Sequence, residues 1–394
     1  MPQDGAAAKK QTCYGVTGNA ALLGSTRLVA VKQNIRFCTA SDGVRLAYAV
    51  SGDGPPLVMS ATWLTHLEHQ WRSLAWRPWL DAFSRGRKLL RYDARGCGLS
   101  DRETSDLSFD NWVSDFECVI DAATFRRFDL LATCWGGPIA ITYAARHPER
   151  VNRLILYGTY ALGRLRWQDR PKEIEKARVL LDLTRLGWGR DNHAFQQVWA
   201  TAFQPGGTLD HLHSWCDQQR AATSAETAVR LLQIGWNADV REAARKVKCP
   251  VLILHPERDA VVPLDQGRLL ASLMPNSRFV QIDTENHMPL AGEPAWLRIV
   301  DEIEAFLKEP AERVARKETL PLNALTPRER AVLEGIAGGL DNTEIATTLG
   351  LSEKTVRNHI TRVFDKIGVA HRYQAIVLAR DAGLGTNNRV ISER

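Results

Sequence analysis

The sequence predicts an α/β protein, a mostly parallel sheet carrying a helical cap, followed by a small all-α domain at the C-terminal end. Three observations carry this prediction. Short β-rich runs alternate with helix-like stretches; one long interval between two such runs has helical pattern only; and a charged, proline-punctuated segment (KEPAERVARKETLPLNA) separates them from a last group of amphipathic helices. The 394 residues, 44% apolar and 24% charged, suffice for a sizeable core and for two or three domains.

The elements follow in order. Residues 1–32 mix Gly, Ala, Gln, Asn and Thr without periodicity and are expected to form a loose extension. From Ile35, the runs IRFCTA, RLAYAV, PLVMSA and RKLLRYD are strand-like, separated by turn signals such as SGDGPP. FDLLAT, RLILYG, CPVLILH and RFVQID are β-rich as well, each followed by a helical stretch, as in a parallel sheet covered on both faces. Between LILYGTY and KCPVLILH the chain runs for roughly 85 residues without a strand, too long for an ordinary crossover. Five of the twelve tryptophans (167, 188, 199, 215, 236) lie in that interval, which reads as a helical cap over about 162–247. The expected organisation is a sheet domain over 33–308, a linker over 309–322 and a second domain over 323–394.

Charge and cysteine usage restrict the function classes. A net charge of +6 permits an anionic partner without demanding one. Seven scattered cysteines, never spaced as CxxC, suggest neither a disulfide framework nor a zinc site, and no metal or cofactor is expected. No apolar run approaches the roughly 18 to 20 residues of a membrane span. Lys9 and Lys10 have no apolar h-region behind them, so no membrane partner and a reducing cytoplasm are the expectation. Cys118 and Cys249 sit in apolar surroundings and read as buried core thiols.

DLLATCWGGPIA places a thiol at the apex of a strand–turn–helix bend with small neighbours, Ala132-Thr133-Cys134-Trp135-Gly136-Gly137. Small residues are needed there because a strained apex leaves no room beside the adjacent strand and helix. Asp259 follows the run VLILH in HPERDAVVP, and His287 follows RFVQI in TENHMP. Nucleophile, acid and base thus come in that order, each at the C-terminal end of a strand, where an open α/β sheet holds its site.

With RYDARGCGLSD (Arg91 to Asp101) and YAARHPERV, these residues make 34–308 similar to the α/β-hydrolase superfamily, and the Cys-Asp-His set resembles dienelactone hydrolase. The resemblance implies an oxyanion hole from the backbone N–H groups of Trp135 and Trp63. The family's His-Gly is here Met59-Ser60-Ala61-Thr62-Trp63, which departs from the pattern. A thiolate of Cys134 would attack an ester, thioester or lactone carbonyl, with His287 moving the proton and Asp259 orienting the ring. The cap and TWLTHLEHQW would line an apolar cavity, with Thr62, His66, Trp167, Trp188, Trp199 and Trp236 as candidate ligand contacts. Arg164, Arg166 and Arg170 read either as a solvated helix face or as a site for an anionic group.

The C-terminal stretch opens with a capping box, Thr326 at N-cap, Pro327 at N1 and Glu329 at N3. TEIATTLG, the turn LSE and a helix from about Ser352 to Gly368 give helix–turn–helix geometry. On that last helix Val356, Ile360, Val363, Phe364 and Ile367 form the inward stripe; Lys354, Asn358 and Thr361 point away, flanked by Arg357 and Arg362. From Leu325 to Leu384 the chain resembles the LuxR-type helix-turn-helix domain. That resemblance implies binding of double-stranded DNA, with base contacts from Arg357, Asn358 and Thr361 and phosphate contacts from Lys354, Thr355, Arg362 and Lys366. It also implies a homodimer formed through the final helix, YQAIVLARDAGL. Two-fold symmetry then predicts an inverted-repeat operator. The favoured reading is a LuxR-type transcription regulator that senses a small molecule in a hydrolase-like domain. The alternatives are a Cys-dependent hydrolase with DNA binding as a secondary function, and a regulator signalled by slow covalent turnover, as the resemblance to hydrolase-fold hormone receptors allows.

Overall fold

The computed structural model describes residues 32–309, apart from 105 and 189–192, and 325–385, apart from 368, 370–371 and 382–383. The expected N-terminal extension and linker lie, but for their edges, outside the described residues. All eight β-rich runs are strands: β1 (Gln33–Thr39), β2 (Arg45–Ser51), β3 (Pro56–Met59), β4 (Lys88–Tyr92), β5 (Phe128–Thr133), β6 (Val151–Tyr157), β7 (Val251–Pro256) and β8 (Ser277–Ile282). They form one sheet in the order β1-β2-β4-β3-β5-β6-β7-β8. β1 and β2 join by antiparallel pairing, and β4 through β8 are parallel. The burial of each strand follows its position. β7 is buried throughout, its polar His255 included, as a strand covered on both faces must be, whereas edge strand β1 mixes exposed and half-buried positions.

Helices α1 (Leu67–Arg72), α2 (Arg77–Ser84), α3 (Phe109–Ala122), α4 (Gly136–Arg146), α10 (Leu264–Leu273) and α11 (Pro294–Lys308) accompany the sheet. Ser108 starts α3 by accepting a hydrogen bond from Asn111 N, satisfying one of the free donors of the first turn. A bidentate ion pair, Arg95 Nη2 to Asp115 Oδ1 at 2.6 Å and Nε to Oδ2 at 2.6 Å, ties the loop after β4 to α3. Between β6 and β7 lie a short 3-10 helix (Arg164–Arg166) and α5 (Pro171–Gly187), α6 (His193–Phe203), α7 (Leu209–Ala222), α8 (Ala225–Asn237) and α9 (Arg241–Lys246). Their extended backbone among the described residues amounts to the isolated bridge Leu162–Asp239.

One cysteine departs from expectation. Cys249 is buried, but Cys118 is only half-buried, on the face of α3 covered by edge strand β1, with its Sγ 3.7 Å from that of Cys38. An apolar helix face marks burial only where a full layer covers it, and an edge strand covers half.

A separate core of Leu325, Val332, Leu333, Ile336, Ile345, Val356 and Val363, among others, holds α12 (Pro327–Ala337), α13 (Asn342–Leu349), α14 (Glu353–Ile367) and α15 (Arg372–Asp381). The capping box at Thr326 and Glu329 forms with both bonds present. A second one, Asp341 with Glu344, starts α13, and Gly350 ends that helix at φ +64°, the left-handed conformation that lets the chain turn into α14.

Candidate functional site

Cys134 occupies the bend between β5 and α4 at φ +50°, a conformation rare for a side-chain-bearing residue. The surrounding bonds hold it there. Cys134 N donates to Tyr157 O at 3.1 Å, Gly137 N donates to Cys134 O at 3.2 Å, and Thr159 Oγ1 donates to that same carbonyl. Glycine is required on the helix side, because a Cβ at Gly136 would come within 2.3 Å of Ser60 Oγ and one at Gly137 within 1.9 Å of Thr159 Oγ1. Such close backbone approach is what G-x-S-x-G spacing provides in an elbow, and Ala132 suffices at the first position.

His287 and Asp259 come together behind the sheet's C-terminal edge. Asp259 Oδ1 accepts from Val261 N at 2.8 Å and Val262 N at 2.9 Å, and Oδ2 lies 2.7 Å from His287 Nδ1. A carboxylate oxygen accepts, so the proton sits on Nδ1 and Nε2 is left for other chemistry. That Nε2 is buried without a hydrogen-bond partner. Burial works against charge on the ring; Asp259 and then Cys134 outweigh it, and the pKa of His287 rises to about 10. Cys134 is thus close enough to favour the imidazolium, yet no hydrogen bond of ordinary geometry joins thiol and ring. His255, unassigned by the motif reading, lies beside them: its Nε2 is 2.8 Å from Val262 O and 3.9 Å from Asp259 Oδ2. Burial lowers its pKa, so it serves as a neutral brace for the acid's loop.

The loop after β3 is bound to the elbow through Ser60, whose Oγ donates to Gly136 O at 3.0 Å. It carries Trp63 next to Leu64, which stands at φ +60°. Among the hydrogen bonds of the described residues, the backbone N–H groups of Trp63 and Trp135 have no acceptor. The two rings meet edge-on with centroids 5.0 Å apart, and Trp199 packs 4.7 Å from Trp63. Phe203, at the end of α6, places its ring edge-on 5.0 Å from His287. Cys134 and His287 are accordingly 2% and 0% exposed.

A cavity of about 60 Å³ opens beside this closed centre, between the cap and the loop after Asp259. Of the candidate ligand contacts, Trp167, Trp199 and Trp236 line it, with Trp135, Tyr160, Arg164 and Phe203. Trp188 instead packs 5.8 Å from Trp63 and donates from Nε1 to Thr223 O at 2.9 Å. Thr62 and His66 are buried away from the cavity lining; burial and then the neighbouring His69 push His66 down to about 4. Phe203 and Tyr160 bear no motif that would have singled them out. A wider cleft of about 710 Å³ on the outer face of the cap is walled by Arg166 and by charged groups engaged with each other, such as Arg241 with Asp239 at 2.7 Å. Among the described residues, no three His, Cys, Asp or Glu side chains are grouped to hold a metal ion, and no helix is long and apolar enough to cross a membrane.

On α14, Val356, Val363 and Ile367 are buried, with Ile360 and Phe364 packed against the same core. Lys354, Arg357, Asn358, Thr361 and Arg362 are exposed together on the opposite side. Thr355 is partly covered, its hydroxyl 2.8 Å from that of Ser352. Lys366 differs from the rest of the set, because its Nζ donates to Glu329 Oε2 at 2.7 Å and joins α14 to the capping box of α12. Lys366 first, and then the Thr326 backbone, hold the Glu329 carboxyl down to about 2.

Residues 55–294 match the family described as alpha/beta hydrolase fold, and residues 323–379 match the bacterial regulatory proteins of the luxR family. The chain is 28% identical over 242 residues to 2-hydroxymuconate semialdehyde hydrolase from Pseudomonas sp. (strain CF600), covering 58% of this chain and 79% of that protein. It is 22% identical over 244 residues to pyrrolizixenacetamide deacetylase from Xenorhabdus hominickii, covering 61% of this chain and 87% of that one. An esterase structure from Exiguobacterium antarcticum superposes with a TM-score of 0.59 at 20% identity, over 69% of this chain and 99% of the esterase.

Proposed function

The chain belongs to the α/β-hydrolase family and ends in a LuxR-family DNA-binding domain, and from that premise we propose a ligand-responsive transcription regulator whose hydrolase-fold domain senses an ester, thioester or lactone-like small molecule. The observation that carries the reading is Cys134 at φ +50° under a closed aromatic cap, with the His287–Asp259 pair at 2.7 Å beside it. In the covalent step, the thiol proton is held on His287 Nε2, as the raised pKa of the ring favours, and the thiolate attacks the carbonyl carbon. The oxygen takes up the charge between the N–H groups of Trp63 and Trp135. The leaving oxygen or sulfur takes the proton from His287, departing as the alcohol of an ester or the thiol of a thioester and staying on the acyl chain of a lactone, which gives a thioester on Cys134. With Cys134 and His287 both buried, water must pass the same cap as the ligand, and on this reading the captured acyl group outlasts the encounter.

The signal is read by DNA. Arg357, Asn358 and Thr361 contact base edges, and Lys354, Thr355 and Arg362 contact phosphates of an inverted-repeat operator bound by a homodimer. Lys366 acts mainly by fixing the recognition helix, since its charge is spent on Glu329. A ligand shifts operator affinity only by binding the two conformational states unequally.

Intact-mass measurement tests the proposal. After exposure to p-nitrophenyl butyrate or γ-butyrolactone, the wild type should gain one acyl mass that persists, Cys134→Ala should gain none, and acylation should change operator affinity. Multiple turnover without a persistent adduct would favour the hydrolase alternative. Absence of any adduct in the wild type would remove the covalent step and leave a non-covalent sensor.

A further inference from the structure

Among the described residues that line the cap cavity, Arg164 is the one charged side chain. Its guanidinium carbon lies 5.7 Å from the ring centre of Trp167 and 5.6 Å from that of Trp236, and Nη2 donates to Val261 O at 2.8 Å. A guanidinium has five N–H donors, and no carboxylate among the described residues comes within ion-pair distance of this one. Glu173 is engaged by Lys176 at 2.6 Å and Asp259 by His287 at 2.7 Å. The two neighbouring arginines differ: Arg166 is exposed, and Arg170 is paired with Asp265 at 2.7 Å.

We propose that Arg164 recognises a carboxylate, so that the cavity takes a small apolar carboxylic acid derivative whose second carbonyl is presented toward Cys134. Burial lowers the pKa of Arg164, while Glu173, Asp259, Tyr160 and Cys134 favour its charge without an ion pair, so a carboxylate in the cavity would supply the close counter-charge the protein lacks. One guanidinium between apolar walls suits a singly charged carboxylate better than a phosphate, whose second charge would need a further cation. Size agrees. At about 60 Å³ the cavity exceeds the roughly 10–15 Å³ a single water needs and admits only a small ligand.

This inference rests on the cavity being the ligand site, and the test separates the two. Tryptophan emission of the full-length protein is titrated with phenylacetate and with phenylacetamide, which share a shape and differ in charge. The wild type should bind the anion about ten- to a hundred-fold tighter. Arg164→Gln should bring the two within about three-fold, Arg164→Lys should keep part of the preference, and Arg166→Gln should keep all of it. Equal affinity for both probes in the wild type would overturn the role of Arg164 and leave the cavity standing as the ligand site. A preference that survives in Arg164→Gln would overturn it as well. If neither probe alters the emission or slows alkylation of Cys134 by iodoacetamide, both the inference and the cavity reading fail.

Discussion

Cys134 and the recognition helix present their working groups in opposite ways. The thiol is 2% exposed and sits in a left-handed bend held by three hydrogen bonds, whereas Arg357 keeps 63% of its side-chain surface in water and makes one loose contact, 3.7 Å to Glu353. A buried site needs a frame that tolerates little change, because every displaced atom meets another. An exposed face needs a firm back and a free front. Stability and function should therefore be coupled at the elbow and separable on α14.

The largest effect tests the frame. Asp115→Ala leaves Arg95, with 2% of its side chain exposed, without its bidentate partner, and breaking a buried pair in this way costs about 3–5 kcal/mol. All twelve tryptophans lie at or before Trp296. Denaturation followed by tryptophan emission therefore reports the hydrolase-fold domain, and circular dichroism reports the C-terminal helices as well. The emission midpoint should fall and the helical remainder should stay. A loss under about 1 kcal/mol would mean that Asp42, also 2.7 Å from Arg95, and the Asp106 carbonyl at 3.0 Å hold the guanidinium without Asp115.

Next comes the elbow. In Gly137→Ala the added methyl meets Thr159, and overpacking of this kind costs about 1–3 kcal/mol. Because Thr159 also donates to the Cys134 carbonyl, the same variant should slow iodoacetamide labelling of Cys134. Unchanged labelling with reduced stability would separate elbow geometry from packing and weaken the contrast.

On α14 the expectation reverses. Asn358→Ala or Arg357→Ala should lower the preference for the operator over random duplex by about 1–3 kcal/mol each, with stability changed by about 0.5 kcal/mol or less. Lys354→Ala should weaken binding to both duplexes alike. Competition binding distinguishes these outcomes, and equal loss on both duplexes by Asn358→Ala would refute its base-reading role.

The contrast also explains what could be read before the fold was known. Strand runs, the small residues around Cys134, the Thr326–Glu329 box and the Val356–Ile367 stripe are local patterns, set by the period of a strand or helix and the chemistry of a cap. The second box, Asp341 with Glu344, has the same spacing and is legible in the same way. Other features depend on contacts between distant positions, which spacing does not carry. Phe203 covers His287 across the cap boundary, Lys366 reaches Glu329 from another helix, and Cys38 approaches Cys118 from the edge strand. The arginines of the cap show the limit clearly. Arg164, Arg166 and Arg170 look alike in sequence, and only the fold turns one toward the cavity, one to solvent and one to Asp265.

The smallest expected effect is in the response to pH, where the two regions should differ in direction. Glu329 is lowered from its ordinary 4.5 to about 2, so its contribution is complete above 4.5 and is lost as pH falls toward 2. His287 is raised from 6.5 to about 10, so its contribution is complete below 6.5 and is lost as pH rises toward 10. Acid should thus loosen the capping box that joins α12 to α14, and alkali should loosen the centre beneath the cap. Glu329→Gln keeps the shape and removes the titration, so helical circular dichroism of this variant should lose part of the wild type's change between pH 4.5 and 2 while its alkaline tryptophan profile stays the same. If the acid profile of Glu329→Gln matches that of the wild type, the Lys366 pair contributes nothing to stability. Lys366 would then be free to leave Glu329 for a DNA phosphate, and Lys366→Ala should weaken binding to every duplex as Lys354→Ala does.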